Sequence, residues 1–293
     1  MEGINETFGE KLFEAVIIAI LAIVCLLAAY PVILVASSSF SDPNAVITNK
    51  VLLWPVNPTQ KAYNMVFGHP EIWRCYGNTI MYTLLGTAIN VFLTAAGAYP
   101  LSRSDFCGRN FFMAIFIFTM FFSGGMIPSY LLVKNLGLLN SIWALLIPGA
   151  VSTWNLIIMR TFFQNTIPAE LQEAAFVDGS NDLGVFFKIV LPLSTPIIAV
   201  MVLFYGVGHW NSWFSALLYL SDRSKYPLQI ILREILIQSS TQDMSGGAIS
   251  DQEMIGETIK YATMVVATLP ILCLYPFLQR YFVKGVMIGA IKG

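Results

Sequence analysis

Six stretches of this chain contain no Asp, Glu, Lys or Arg: residues 15–41, 75–102, 110–133, 135–159, 189–221 and 261–279. The shortest has 19 residues, and a helix needs roughly 20 to cross the hydrocarbon core of a bilayer. Buried helices of soluble proteins are rarely so long and so free of charge. Charged residues make up 11% of the chain, against about 25% in an ordinary soluble domain. The chain therefore reads as an all-α membrane protein with six transmembrane helices. They are expected at about 15–37, 77–100, 110–132, 141–160, 193–219 and 260–282. The first apolar run is longer than the core of a signal peptide, so it is expected to be retained as a helix.

Several function classes fall away on composition. The net charge is −1 with no basic block, so no nucleic-acid partner is expected. The four cysteines are dispersed, with no C-x-x-C, and His69 and His209 lack ligand spacing. No disulfide framework, metal site or cofactor is expected. No G-x-x-x-x-G-K-[ST] phosphate loop occurs, so any ATP hydrolysis belongs to another polypeptide. No cluster suited to membrane-embedded catalysis appears. A secondary transporter driven by an ion gradient remains the alternative. That class places ionisable groups inside its spans, whereas the six cores offer no carboxylate, ammonium or guanidinium.

Topology is only weakly marked. An even helix count puts both termini on one side, where Lys11, Arg103, Arg109, Arg160, Lys188, Arg280, Lys284 and Lys292 lie, with eight basic residues opposite. The short loop 101–109 carries Arg103 and Arg109, while 133–140 carries only Lys134; short loops weigh most in the positive-inside rule, which favours cytoplasmic termini. Prolines recur in or beside the expected helices at positions 31, 100, 128, 148, 196, 270 and 276. Each removes a backbone donor and bends its helix unless a neighbour repairs the loss.

One polar segment stands out between the fourth and fifth spans. From Ala169 the run AELQEAAFVD favours a helix, Pro168 suits its first turn, and Gly179 follows where a left-handed residue can end it. Ser180, Asn181 and Asp182 are candidate caps and first-turn acids for a second helix that returns to the membrane at Pro192. Leu171, Ala174, Ala175 and Asp178 are spaced to share one face. Two small alanines there would let another backbone approach closely, and Glu173 would offer it a charge.

The order Glu173-Ala174-Ala175, Gly179, Ile189, Leu191, Pro192 follows the pattern E-A-A-x3-G-x9-I-x-L-P. It resembles the cytoplasmic coupling loop of ABC importer permeases. The likeness extends through FFSGGMIPSYLLVKNLGLLNSIWALLIPG, FYGVGHWNSWFSALLYL, YPLQIILREIL and the terminal KGVMIGAIKG. On these residues the chain is identified as similar to carbohydrate permeases of the maltose-permease-like, binding-protein-dependent family. The nearest branch is that of aldouronate, lipoprotein-type and multiple-sugar permeases.

The resemblance implies the type I importer permease fold, with a cytoplasmic N-terminus over 1–14, a permease domain over 15–282 and a cytoplasmic tail over 283–293. Within it, 166–192 would be the coupling loop, with Glu173, Ala174, Ala175, Asp178, Gly179 and Pro192 meeting the ATPase. In the tail, Gly289, Lys292 and Gly293 would reach the same partner. The implied partners are a second permease, two cytoplasmic ATPase subunits, an extracytoplasmic sugar-binding protein and a sugar or oligosaccharide, all at a bacterial cell membrane.

For the sugar path, Trp210, Asn211 and Trp213 attract attention by residue type, with Asn90, Trp154 and Asn155 behind them. Aromatic rings stack on sugars and amides bond their hydroxyls. Tryptophan near a helix end also serves as an interfacial anchor, and Asn as interhelical glue, so residue type leaves both roles open.

Overall fold

The structure, a computed structural model, describes residues 8–242, 258–273 and 276, and every regular element among them is helical. The chain divides into two compact units: residues 1–70 with 232–269, and residues 71–231 with 270–293.

In the first unit, helix α1 (Phe8–Ser39) is followed by the short helices α2 (Pro43–Ile47) and α3 (Lys61–Gly68). Helix α1 exposes its side chains from Phe8 to Ile33, as an apolar helix does when lipid is its solvent. Its last turn is different: Ser37, Ser38 and Ser39 are buried. The Ser37 hydroxyl donates to the Leu53 carbonyl at 2.7 Å, the Ser39 and Tyr63 hydroxyls pair at 2.8 Å, and Ser41 Oγ accepts from the Val56 amide at 3.0 Å. These bonds tie the proline-containing segment after α1 back onto the end of the helix.

The second unit is organised on helix α4 (Ile72–Ser102). At 1.5 Å per residue it runs roughly 46 Å, longer than the ~30 Å hydrocarbon core. After it come α5 (Arg109–Phe121), α6 (Met126–Asn135), α7 (Trp143–Leu146), α8 (Thr153–Thr166), α9 (Ala169–Val177), α10 (Asp182–Leu193), α11 (Thr195–Trp210) and α12 (Phe214–Tyr219). Helix α13 (Leu228–Gln242) forms in the interval between the fifth and sixth expected spans, where no helix is expected. Helix α14 covers Thr258–Cys273, and the remainder of the expected sixth span lies outside the described residues.

Three expected spans are interrupted, each for a local reason. The helix expected at 110–132 divides into α5 and α6, which meet at 114°. Gly125 has φ 84° and ψ 177°, a region essentially closed to any residue with a Cβ. The helix expected at 141–160 stops after α7 and resumes at α8, because Pro148 brings no donor and its ring opposes continuation. The helix expected at 193–219 begins at an 81° bend between α10 and α11, close to the expected return at Pro192, and is interrupted after Trp210, before α12. Pro196 cannot donate to the Pro192 carbonyl one turn back, and the Thr195 hydroxyl donates to it instead at 2.8 Å. Pro31 and Pro100, by contrast, sit inside continuous helices. By length and apolarity two described helices can each cross a membrane, or up to four spans if each bent pair counts as one.

Candidate functional site

The polar segment folds as its residues dictate. Pro168 is the N-cap of α9, one position earlier than expected. At the other end Gly179 lies at φ 82°. Its amide donates to the Phe176 carbonyl at 3.0 Å, and the Ser180 amide to the Ala175 carbonyl at 2.9 Å. That pair of crossed bonds satisfies the last carbonyls of α9 and depends on a left-handed residue at 179. Asn181 then caps α10, its side chain accepting from the Gly184 amide at 2.8 Å. A Cβ on Gly184 would lie 2.7 Å from Ser180 Oγ, so any larger residue there must displace the Ser180 hydroxyl. From Phe186 to Val190 helix α10 widens into a π-helical segment and reaches the bend beyond Pro192.

The two alanines divide their duties. Ala174 is exposed, while Ala175 is 9% exposed and packs into a core with Tyr99, Phe163, Val185 and Phe186. This corrects the expectation that both present one surface to a partner: Ala175 lets α9 sit close to its own bundle. The outward side carries Glu173, Ala174 and Asp178, together with the exposed apolar side chains Leu171, Val177 and Leu183. Val177, 88% exposed, is a surface residue that spacing alone does not single out.

A second residue, which the sequence offers only as a loop charge, joins this segment to α4. Arg103, just past the end of α4, donates from Nε to Asp105 at 2.8 Å and from Nη2 to its other carboxylate oxygen. Its Nη1 reaches the Tyr99 hydroxyl at 3.1 Å, Gln172 of α9 at 3.4 Å and Asp182 of α10 at 3.4 Å. Its guanidinium stands over the Phe176 ring at 4.9 Å. The bonds to Asp105 raise the Arg103 guanidinium above its ordinary range and hold the Asp105 carboxyl below the usual carboxylate range. Close by, the final carbonyls of α4 are capped from outside the helix. Arg160 Nε donates to Leu101 at 2.8 Å, Gln164 to Ser102 at 3.3 Å and Arg109 to the Arg103 carbonyl at 3.3 Å. Cations suit the negative end of a helix.

Within α4, Thr79, Thr83, Thr87, Asn90 and Thr94 recur at helical spacing and form one polar stripe. Thr79 accepts from the buried Leu228 amide at 2.8 Å, and Thr94 pairs with the Tyr205 hydroxyl of α11 at 2.7 Å. Between them, Thr83 Oγ1, Thr87 Oγ1 and Asn90 Oδ1 are buried without a hydrogen-bond partner. His209 packs so tightly on α4 that a Cβ at Gly86 would sit 2.4 Å from its ring.

The six expected path residues scatter. Asn90 is in the stripe. Trp210 is buried, edge-on to Tyr76 at 6.0 Å between centroids, and lines an open cavity of about 550 Å3 with Thr83 and Thr87. Asn155 is buried on α8 and Trp154 is exposed beside it. Asn211 is the exposed C-cap of α11, and Trp213 packs on Ala216, Leu220 and Ile230. Gly289, Lys292 and Gly293 lie outside the described residues.

Among the described residues only helices form, two of them long and apolar enough to cross a membrane, and with the buried polar stripe of α4 and a polar helix–turn–helix that keeps one face exposed they define a membrane component. The chain belongs to the family described as the binding-protein-dependent transport system inner membrane component, which residues 93–288 match. It is 45% identical over 288 residues to the polygalacturonan/rhamnogalacturonan transport system permease protein YtcP of Bacillus subtilis, covering 97% of this chain and 99% of that one. It is 43% identical over 289 residues to the protein LplC of Bacillus subtilis, covering 99% and 98%. A chain in the crystal structure of a bacterial ABC transporter involved in the import of the acidic polysaccharide alginate superposes with a TM-score of 0.84 and 34% identity, covering 96% of this chain and all of that one. Membership makes the chain a transport component rather than an enzyme.

Proposed function

We propose that this chain is one permease subunit of an ATP-driven, binding-protein-dependent importer of an oligosaccharide, seated in the plasma membrane of a bacterium. The observation that carries the reading is the α9–α10 helix–turn–helix, rigidly closed at Gly179 yet exposing Leu171, Glu173, Ala174, Val177, Asp178 and Leu183. An ATPase that closes on ATP would carry this exposed ridge with it, and α10 continues from the turn to the bend before α11. Six spans, with α5–α6 and α10–α11 each counted as one bent span, put both termini and the α9–α10 turn on the cytoplasmic side. A second, homologous permease, a pair of ATPase subunits and an extracytoplasmic sugar-binding protein complete the machine. The terminal Gly289, Lys292 and Gly293 are proposed as further ATPase contacts.

The sugar class follows from relatives that handle polygalacturonan, rhamnogalacturonan and alginate: an acidic oligosaccharide is the proposed cargo. The partnerless oxygens of Thr83, Thr87 and Asn90 suit sugar hydroxyls, and Trp210 suits a sugar face. The stripe is uncharged, so groups that balance the cargo's carboxylates belong to the partner permease or the binding protein.

The reading is tested by purifying the tagged chain from native membranes, wild type beside Glu173→Ala, and identifying what is retained by mass spectrometry. A second permease and an ATPase are expected, with less ATPase on the variant. Recovery of the chain alone, unchanged by the substitution, would refute it.

A further inference from the structure

We infer that Arg103 is the latch through which movement of the α9–α10 turn reaches helix α4, a positioning role that rests on the reading of that turn as the ATPase's handle. Its bonds are unequal in a way that suits a latch. On its own side of the joint Arg103 is held firmly: a two-pronged pair with Asp105, at 2.8 Å for the Nε bond, and a 3.1 Å bond to Tyr99. The side chain is only 16% exposed, so the guanidinium cannot swing freely. Toward the turn its contacts are longer, 3.4 Å to Gln172 and 3.4 Å to Asp182, with the guanidinium carbon 4.9 Å from the centre of the Phe176 ring. Arg103 therefore travels with the end of α4, and its contacts to Gln172, Asp182 and Phe176 are the ones through which a displaced α9–α10 turn draws on it.

The same end of α4 is gripped by Arg160 and Gln164 from α8 and by Arg109 from α5. A pull on Arg103 is then a pull on the C-terminal end of the one helix that carries the partnerless stripe of Thr83, Thr87 and Asn90. A guanidinium suits the place because its fork can bind the Asp105 carboxylate in two places and still present a further N–H and a cationic face to the turn. Asp182 is the acceptor that tells the two sides apart. Its side chain is 74% exposed, so replacing it disturbs the latch and leaves the bundle's packing alone.

The test follows backbone hydrogen exchange in the importer assembled with its partner permease, ATPases and binding protein, with and without a non-hydrolysable ATP analogue. In the wild type, nucleotide is expected to change exchange both in peptides covering 169–185 and in peptides covering 95–105. In Arg103→Met and in Asp182→Asn the change at 169–185 persists and the change at 95–105 is lost; Arg103→Lys restores part of it. If both variants keep the response at 95–105, or if Arg103→Met and Asp182→Asn merely prevent assembly, Arg103 is a structural residue and the latch is overturned. If even the wild type shows no response at 169–185, it is the reading of the turn as a handle that fails, an outcome distinct from loss of the latch alone.

Discussion

Helix α4 is tied down at both of its ends, and the two ties differ in kind. At the Ile72 end, the loop 220–226 is locked by short bonds from three directions. Asn78 donates to the Ser224 and Tyr226 carbonyls at 2.8 and 3.1 Å, the Tyr82 hydroxyl to the Lys225 carbonyl at 2.8 Å, and Lys225 Nζ to the Asn140 carbonyl at 2.7 Å. Arg223 pairs with Glu71 at 2.8 Å, and Asn140, left-handed at φ 56°, accepts from the Ser221 and Asp222 amides. At the Ser102 end α8 holds the Leu101 carbonyl through Arg160 at 2.8 Å, but the contacts of Arg103 that cross to α9 and α10 are all longer, and one of them is a ring face. One end is a knot and the other a joint. A helix locked to a loop at one end and linked to the α9–α10 turn by a looser joint at the other can move with that turn, and the stripe of Thr83, Thr87 and Asn90 lies between the two.

The largest expected effect breaks the joint from the turn side. Gly179→Val forces a β-branched residue into the left-handed region, at about 1–2 kcal/mol, although no neighbouring atom lies within 4 Å of the added Cβ. The crossed bonds to Ala175 and Phe176 would open, and ATP-dependent uptake into proteoliposomes should fall by an order of magnitude or more. Uptake at the wild-type rate would show that the turn does not transmit force. Next comes the knot. Thr79→Val keeps the shape of the side chain but leaves the buried Leu228 amide without its acceptor, which costs about 1–3 kcal/mol. A lower thermal unfolding temperature is expected, with the ATP hydrolysed per substrate imported unchanged in the molecules that fold. A change in that ratio would mean the knot also moves.

A smaller effect is expected from Gly184→Ala, whose methyl would crowd Ser180 Oγ at 2.7 Å and Asn181 Oδ1 at 3.1 Å. Weakening of the Asn181 cap is worth about 1 kcal/mol, and the double variant with Ser180→Ala should recover part of the lost stability in thermal unfolding. The smallest effect concerns pH. Asp105 titrates below its ordinary value, so the stability it contributes is complete above the unfolded pKa and is lost only as pH falls through the lower folded value. Arg103 is raised and stays charged throughout. Coupling should therefore be flat between about pH 5.5 and pH 8, well above the carboxylate range. A coupling ratio that drifts across that window would assign the joint to a different titrating group.

Much of this arrangement is legible in the residues. The charge-free stretches mark where the apolar helices lie, and the spacing from Glu173 to Gly179 and Asn181 predicts the α9–α10 turn, including its left-handed residue. Family membership is borne out by the match over residues 93–288. What escapes is whatever depends on distant partners. Arg103 looks like a loop charge useful only for topology, because Gln172 and Asp182 stand far away in the chain. The periodicity that groups Ala174 with Ala175 spans too wide an arc to say which of them faces the bundle. The break at Gly125 falls inside an uninterrupted apolar run, where hydropathy is blind to backbone geometry; Pro148 and Pro196 are marked as bends by residue type, but nothing in the sequence separates them from Pro31 and Pro100, which stay inside continuous helices. The stripe of Thr83, Thr87 and Asn90 is missed for a related reason, since threonine and asparagine barely interrupt an apolar window and His209 joins them only through packing.

The most direct test places a photo-cross-linking amino acid at Ala174 or, separately, at Ser224, in cells expressing the intact importer, and identifies the adducts by mass spectrometry. An ABC-type ATPase joined to the chain at 174 and never at 224 is the predicted result: the exposed face of α9 meets the motor and the knotted end does not. An ATPase captured at 224, or none captured at 174 while the importer remains assembled, would contradict the account at its centre.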